Sequence, residues 1–205
     1  MAVFSPASPL DGRIVALAGE PGALNDQVAA CLDALGAVSI RLQSGASTGP
    51  RITDLKVEDR VTASLDRAEA ALDGCDAVVF VGRDLSDGED MGAFIEGSIG
   101  GYHFCLKLAM RLRAHESTDV VALAGASAEG ELPALAADIR NGALRQMTLV
   151  AASEGGPLSP PLLANAVRVA GEPGPEASAS LTALLARLLG RPQGYVTGTE
   201  LSIRL

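Results

Sequence analysis

The 205-residue chain has no tryptophan, and only 3% of it is aromatic. With so few rings, the 48% of hydrophobic residues must build a core from Ala, Val, Leu and Ile, which suits helices laid on a buried parallel sheet. Histidine is almost missing, with His103 and His115 alone, and Cys31, Cys75 and Cys105 stand far apart with no CxxC spacing. That argues against a zinc site, and three reduced thiols fit a cytoplasmic protein. Positive charge is also scarce: 16 Lys and Arg against 25 Asp and Glu leave a net charge of −9, whereas nucleic-acid binding rests on clustered cations. No apolar stretch approaches the ~20 residues of a membrane span. The opening MAVFSPASPLDGR lacks the basic region and apolar run of a signal peptide. The expectation is an acidic cytoplasmic chain with neither nucleic-acid nor membrane partners, forming a single domain over residues 1–205.

What is present is alternation. Arg13–Ala18 reads as a strand, followed by a helix over Ala23–Leu35 with Leu24, Val28, Leu32 and Leu35 on one face and Gly36 as its stop. Val38–Leu42 is a second strand, and 43–51 has the composition of a loop. Val61, Leu65, Ala68 and Leu72 mark a helix, and Asp76–Val81 is the clearest buried strand. A long helix is expected over Phe94–Ala114. One stripe holds Ile95, Ile99, Tyr102 and Leu106; a second holds Phe94, Ser98, Gly101, Cys105, Leu108 and Leu112; charge falls on a narrow third of Glu96, His103, Lys107 and Arg111. A helix apolar on two faces is buried on two sides, one against the sheet and the other, on this reading, against a second subunit. Strand Asp119–Ala124, a helix near 134–153, strand Asn165–Ala170, a helix with Leu181, Leu184, Leu185 and Leu188, and strand Glu200–Leu205 complete the pattern. Such alternation predicts an α/β fold, a Rossmann-like doubly wound parallel sheet with helices on both faces.

In such folds the loop after the first strand cradles a dinucleotide phosphate. Here it reads Ala18-Gly19-Glu20-Pro21-Gly22-Ala23-Leu24-Asn25, without GxGxxG, and no Gly-x-Gly or P-loop occurs in the chain. Glu20 puts a carboxylate where a phosphate would sit, so Gly19 and Gly22 are read as turn residues.

In order and spacing, DGRIVALAG, LDALGAVSI, DAVVFVG, FIEGSIGGYHFCLKLAMRLR, DVVALAG, NGALRQMTLVAAS, LLANAVRVAG and GYVTGTELSI together resemble the short-chain dehydrogenase/reductase family over nearly the whole length. The resemblance implies NAD(P) chemistry, but the residues matching its functional positions differ. The loop glycines fall on Gly19, Ala23 and Asn25, and the ribose-reading acid near Gln43. The Asn-Asn-Ala-Gly element falls on Phe80, Val81, Gly82 and Arg83, the catalytic Asn on Ser98, and the Ser on Ala124 or Gly125. Its Tyr falls on Ala137 and its Lys on Asn141. In the family that Tyr is the general acid/base and the Lys lowers its pKa. The absence of the pair here is independent of alignment. Tyr102 and Tyr195 are followed at i+4 by Leu106 and Thr199, and Lys56 and Lys107 are preceded by Ile52 and His103.

Possible substitutes are weaker than their structural readings. Ser127 is read as a turn hydroxyl, His103 and Lys107 as part of a solvated stripe, and Asp84, Asp87, Glu89 and Asp90 as a solvated acidic loop. The short link after Gly171 also leaves little to cover a substrate. The reading is a degenerate, shortened member that has lost catalysis and holds no cofactor. It acts as a structural or regulatory subunit, pairing with itself or an active relative. The expected interface residues are Phe94, Ser98, Tyr102, Cys105, Leu108 and Leu112 on the long helix, with Ile139 and Met147 on the next. An atypical NAD(P)-dependent oxidoreductase or nucleotide-binding sensor is the alternative.

Overall fold

The run Ala77–Gly82 is buried at every position, as a strand covered on both sheet faces must be. It is β3 in a computed structural model that describes residues 8–42, 66, 69–70, 72, 74–112, 118–125, 130–171, 175–190 and 197–204. The other strands are β1 (Ile14–Gly19), β2 (Val38–Leu42), β4 (Thr118–Gly125), β5 (Leu162–Ala170) and β6 (Thr199–Arg204). They form one sheet of order β2-β1-β3-β4-β5-β6. Every neighbouring pair is parallel, with Val15 opposite Ala77 and Ala77 opposite Asp119.

Helices cover both faces, which makes the sheet Rossmann-like and doubly wound. On one face α1 (Ala23–Ala34) and α5 (Pro175–Leu189) lay Val28, Leu32, Leu181 and Leu185 over Leu17, Val79, Val121 and Val167. On the other, a broken helix and α4 (Glu131–Gly155) cover Val78, Phe80, Val120 and Ala122. The broken helix runs as α2 (Met91–Ile95), a π-helical turn over Glu96–Gly100, and α3 (Gly101–Leu112). At Gly101 a Cβ would stand 3.1 Å from the Phe80 ring, so glycine lets the helix close on the sheet.

Several boundaries shift from the sequence reading. The long helix begins earlier, at Met91, because the Asp90 carboxylate caps it by accepting from the Ala93 N–H at 3.1 Å. Expected near 134, α4 starts instead at Glu131, and Pro133 is tolerated because the first-turn amides need no helical acceptor. Three residues are added to the front of β5 by pairing with β4, Thr118 lying opposite Leu162. The loop 43–51, Ser127, Tyr195 and most of the helix marked by Val61–Leu72 lie outside the described residues.

One expectation is corrected outright. Phe94, Ser98, Tyr102, Cys105, Leu108 and Leu112 are all buried inside the protomer and offer no free face to a second subunit. The helix is indeed buried on two sides, but its second neighbour is α4 of the same chain. The Tyr102 hydroxyl hydrogen-bonds Thr148 Oγ1 at 2.7 Å, and its ring lies 5.5 Å from that of Phe80. Met147 is half-buried and packs on the same core. Of the eight expected residues, only Ile139 stands exposed.

Candidate functional site

A parallel sheet leaves a crevice at the carboxyl ends of its strands where the connections diverge to opposite sides. Here β1 lies between β2 and β3, and beyond its end is a cleft of about 390 Å³. One wall is the β1–α1 turn from Glu20 to Asn25; the other is the end of β3 with Arg83 and Asp84.

The first wall depends on Gly19. Its φ is +130°, and a Cβ there would lie 2.3 Å from the Val81 carbonyl oxygen, so no side chain fits. Gly22 caps α1 without a side-chain hydrogen bond. The first helical backbone bond is that of Asp26 N–H to the Gly22 carbonyl, at 2.9 Å. The N–H groups of Ala23, Leu24 and Asn25 therefore point out of the helix with no helical acceptor. Asn25 is only 1% exposed, yet neither its Oδ1 nor its Nδ2 has a partner.

The second wall is an ion cluster. Both terminal nitrogens of Arg83 donate to Glu89, its Nε lies 3.2 Å from Glu20, and its guanidinium stands 5.4 Å over the Phe94 ring. Bonding to Arg83 holds the Glu89 carboxyl below the usual range, and Glu89 in turn raises the Arg83 pKa.

Behind this lining, α4 braces Arg83, Asp84 and Gly125. Arg140 has a side-chain exposure of 0% and bonds the Asp84 carboxylate and the Gly125 carbonyl, each at 2.6 Å, as well as the Arg83 carbonyl. Its Nε reaches Asn141 Oδ1 at 3.2 Å, and Asn141 Nδ2 donates to the Gly125 carbonyl at 2.9 Å. Gly82 is small because a Cβ there would lie 3.2 Å from Arg140 Cδ.

The topology thus gathers Gly19, Asn25, Gly82, Arg83, Gly125 and Asn141 at one end of the sheet. Ser98 is buried on the π-helical turn, its hydroxyl unpartnered, and Ala137 is buried in α4. Gln43 lies outside the described residues. The acidic loop is more ordered than a solvated one: Asp84 pairs with Arg140, Glu89 with Arg83, and Asp90 caps α2. His103 and Lys107 are exposed, as read. Partial desolvation, and then the Lys107 charge, lower the His103 pKa. Sequence reasoning missed Arg140, although it lies on the α4 face that carries Ala136, Ala137 and Leu144.

Chemically, the described lining of the cleft offers backbone amides, the Asn25 amide, the Ser86 side chain and the charges of Glu20, Arg83 and Asp84. Among the described residues its lining has no Tyr, His, Lys or Cys. Burial pushes the Tyr102 hydroxyl up and the Cys105 thiol up to about 12. The Cys75 thiol is raised by burial too. Among the described residues no metal-binding cluster forms, and no helix is long and apolar enough to cross a membrane.

An all-parallel sheet with a cleft at this point defines a Rossmann-like α/β protein. More particularly, the fold is that of the short-chain dehydrogenase/reductases. The ligand-free aldohexose dehydrogenase of Thermoplasma acidophilum matches with a TM-score of 0.68 at 19% identity, over 97% of this chain and 94% of that one. A Leptospira borgpetersenii short-chain dehydrogenase with bound NAD+ matches with a TM-score of 0.70 at 14% identity, over 99% and 95%. A Serratia marcescens short-chain dehydrogenase/reductase gives 0.69 at 19%, over 96% and 97%. No family model and no curated protein matches the sequence. At these identities the likeness concerns the fold alone.

Proposed function

We propose that the chain is a catalytically silent, short-chain dehydrogenase-like subunit, structural or regulatory, that pairs through α4 with a chain of the same fold. The observation that carries this reading is the two-sidedness of α4. Inward, it delivers Arg140 and Asn141, which tie down Gly125 of the cleft lining, on the helix where the family resemblance places its Tyr–Lys pair at Ala137 and Asn141. Outward, it exposes Leu132, Leu135, Ile139, Leu149 and Val150, with charge only along the margins at Glu131, Asp138, Arg145 and Glu154. An apolar strip of this kind gains roughly 25 cal/mol per Å² when covered, before the costs of association. An antiparallel pairing across Gly142 sets Leu135 against the partner's Leu149 and Asp138 beside the partner's Arg145, a self-complementary arrangement.

Mass measurement in solution tests this. The native chain should run as two copies and Ile139→Asp as one, with the fold kept because Ile139 is 37% exposed. A native chain that is strictly monomeric and joins no dehydrogenase relative would sink the proposal.

The second reading, an atypical NAD(P)-dependent oxidoreductase or nucleotide sensor, is favoured by the position of the open cleft beside the head of α1. Calorimetric titration with NADH and NADPH separates the two, since micromolar binding belongs only to the second.

A further inference from the structure

The subunit role leaves the cleft itself unexplained. Burying an amide with neither atom bonded is costly, and Asn25 lies beside Gly19 in the cleft wall in that condition. The free N–H groups at the head of the twelve-residue helix α1 stand next to it. Donors held this way favour an anion, and the bare Asn25 Nδ2 adds one more.

The surrounding charge limits what that anion can be. Arg83 is committed to Glu89 and Glu20, and Arg140 to Asp84 and two backbone carbonyls. Among the described residues, three carboxylates against two guanidiniums leave this rim negative, so a doubly charged pyrophosphate would press its second charge against Glu20. A single carboxylate needs only the α1 amides and Asn25. At the other end of such a ligand, donor groups meet the Asp84 carboxylate, which lines the cleft with 58% of its side chain exposed, while Asn25 Oδ1 accepts another.

We propose that this cleft binds a small monocarboxylate carrying hydrogen-bond donors, the class of hydroxy acids and amino acids. Its carboxylate sits on the N–H groups of Ala23–Asn25 and on Asn25 Nδ2. Binding involves no covalent or redox step and is independent of the α4 strip.

The test is thermal unfolding of the full chain with lactate or glycine at constant ionic strength, alongside inorganic phosphate and NADH. A saturable rise in melting temperature is expected with at least one of the two carboxylates. Asn25→Leu keeps the branching of the side chain while removing the unpaired amide, and should keep the fold while weakening binding roughly tenfold. Asn25→Asp, which keeps the shape and adds a negative charge, should abolish the rise. No saturable rise with either carboxylate overturns the proposal. So does a rise undiminished in both variants, or a response confined to phosphate or NADH. Because Ile139→Asp is expected to leave the rise intact, this proposal and the subunit reading fail separately.

Discussion

The two halves of the cleft rim differ in how much of their hydrogen-bonding capacity is used. On the β4–α4 side every donor nitrogen of Arg140 has an acceptor, and the Asn141 amide is bonded at both atoms. On the β1–α1 side the Asn25 amide is bonded at neither, and the first amides of the helix stand free. Both sides are built from polar groups at the ends of parallel strands, so composition does not separate them. Saturation does: a polar network with all its partners is architecture, while one left open has room for a ligand.

The contrast can be broken from either side. The largest effect should come from Arg140→Ala, which strips partners from Asp84 and from the Gly125 and Arg83 carbonyls and empties a fully buried site. A loss of about 3 kcal/mol in urea unfolding is expected, less than a fully enclosed pair would give because Asp84 is partly solvated. Next come the two asparagines, where the same change should act with opposite sign. Asn141→Leu should cost about 1.5 kcal/mol, whereas Asn25→Leu should leave the unliganded protein as stable or more so. Equal losses at both positions would erase the distinction between the halves. The smallest effect belongs to Glu89. Arg83 depresses its pKa from the ordinary 4.5, so its contribution is in place above about pH 4.5 and fades as pH falls through the lower folded-state value. Glu89→Gln should therefore lower stability by about 0.5 kcal/mol at pH 7 and by progressively less in acid, read from urea midpoints across that range.

Much of the fold was legible because burial on both sheet faces leaves a plain trace. Ala77–Gly82 is uniformly apolar, and Val38–Leu42 and the start of α1 at Ala23 fall where periodicity and the Gly36 stop put them. The site was legible only as absence. Missing Tyr–Lys spacing can be counted, but what fills the space cannot, because a buried arginine on an alanine-rich helix face looks like a surface residue until Asp84 and Gly125 are brought to it from far along the chain. The stripes of the broken helix failed for a related reason. Periodicity reveals that Phe94, Ser98 and Cys105 share a covered face, but not whether the cover is another molecule or α4.

The place of β1 within the sheet also bears on how the chain is made. Once β2 has been synthesised, it can pair with one side of Ile14–Gly19, but the other side waits for Ala77–Gly82. The Ile14 amide and the Asp76 carboxylate that it meets in the finished protein are 62 residues apart. During that interval the nascent chain carries IVALAG, an apolar strand with an open edge, which is the kind of segment that recruits foreign strands. A chain halted before Ala77–Gly82 is complete should therefore keep this edge uncovered, well before the cleft exists.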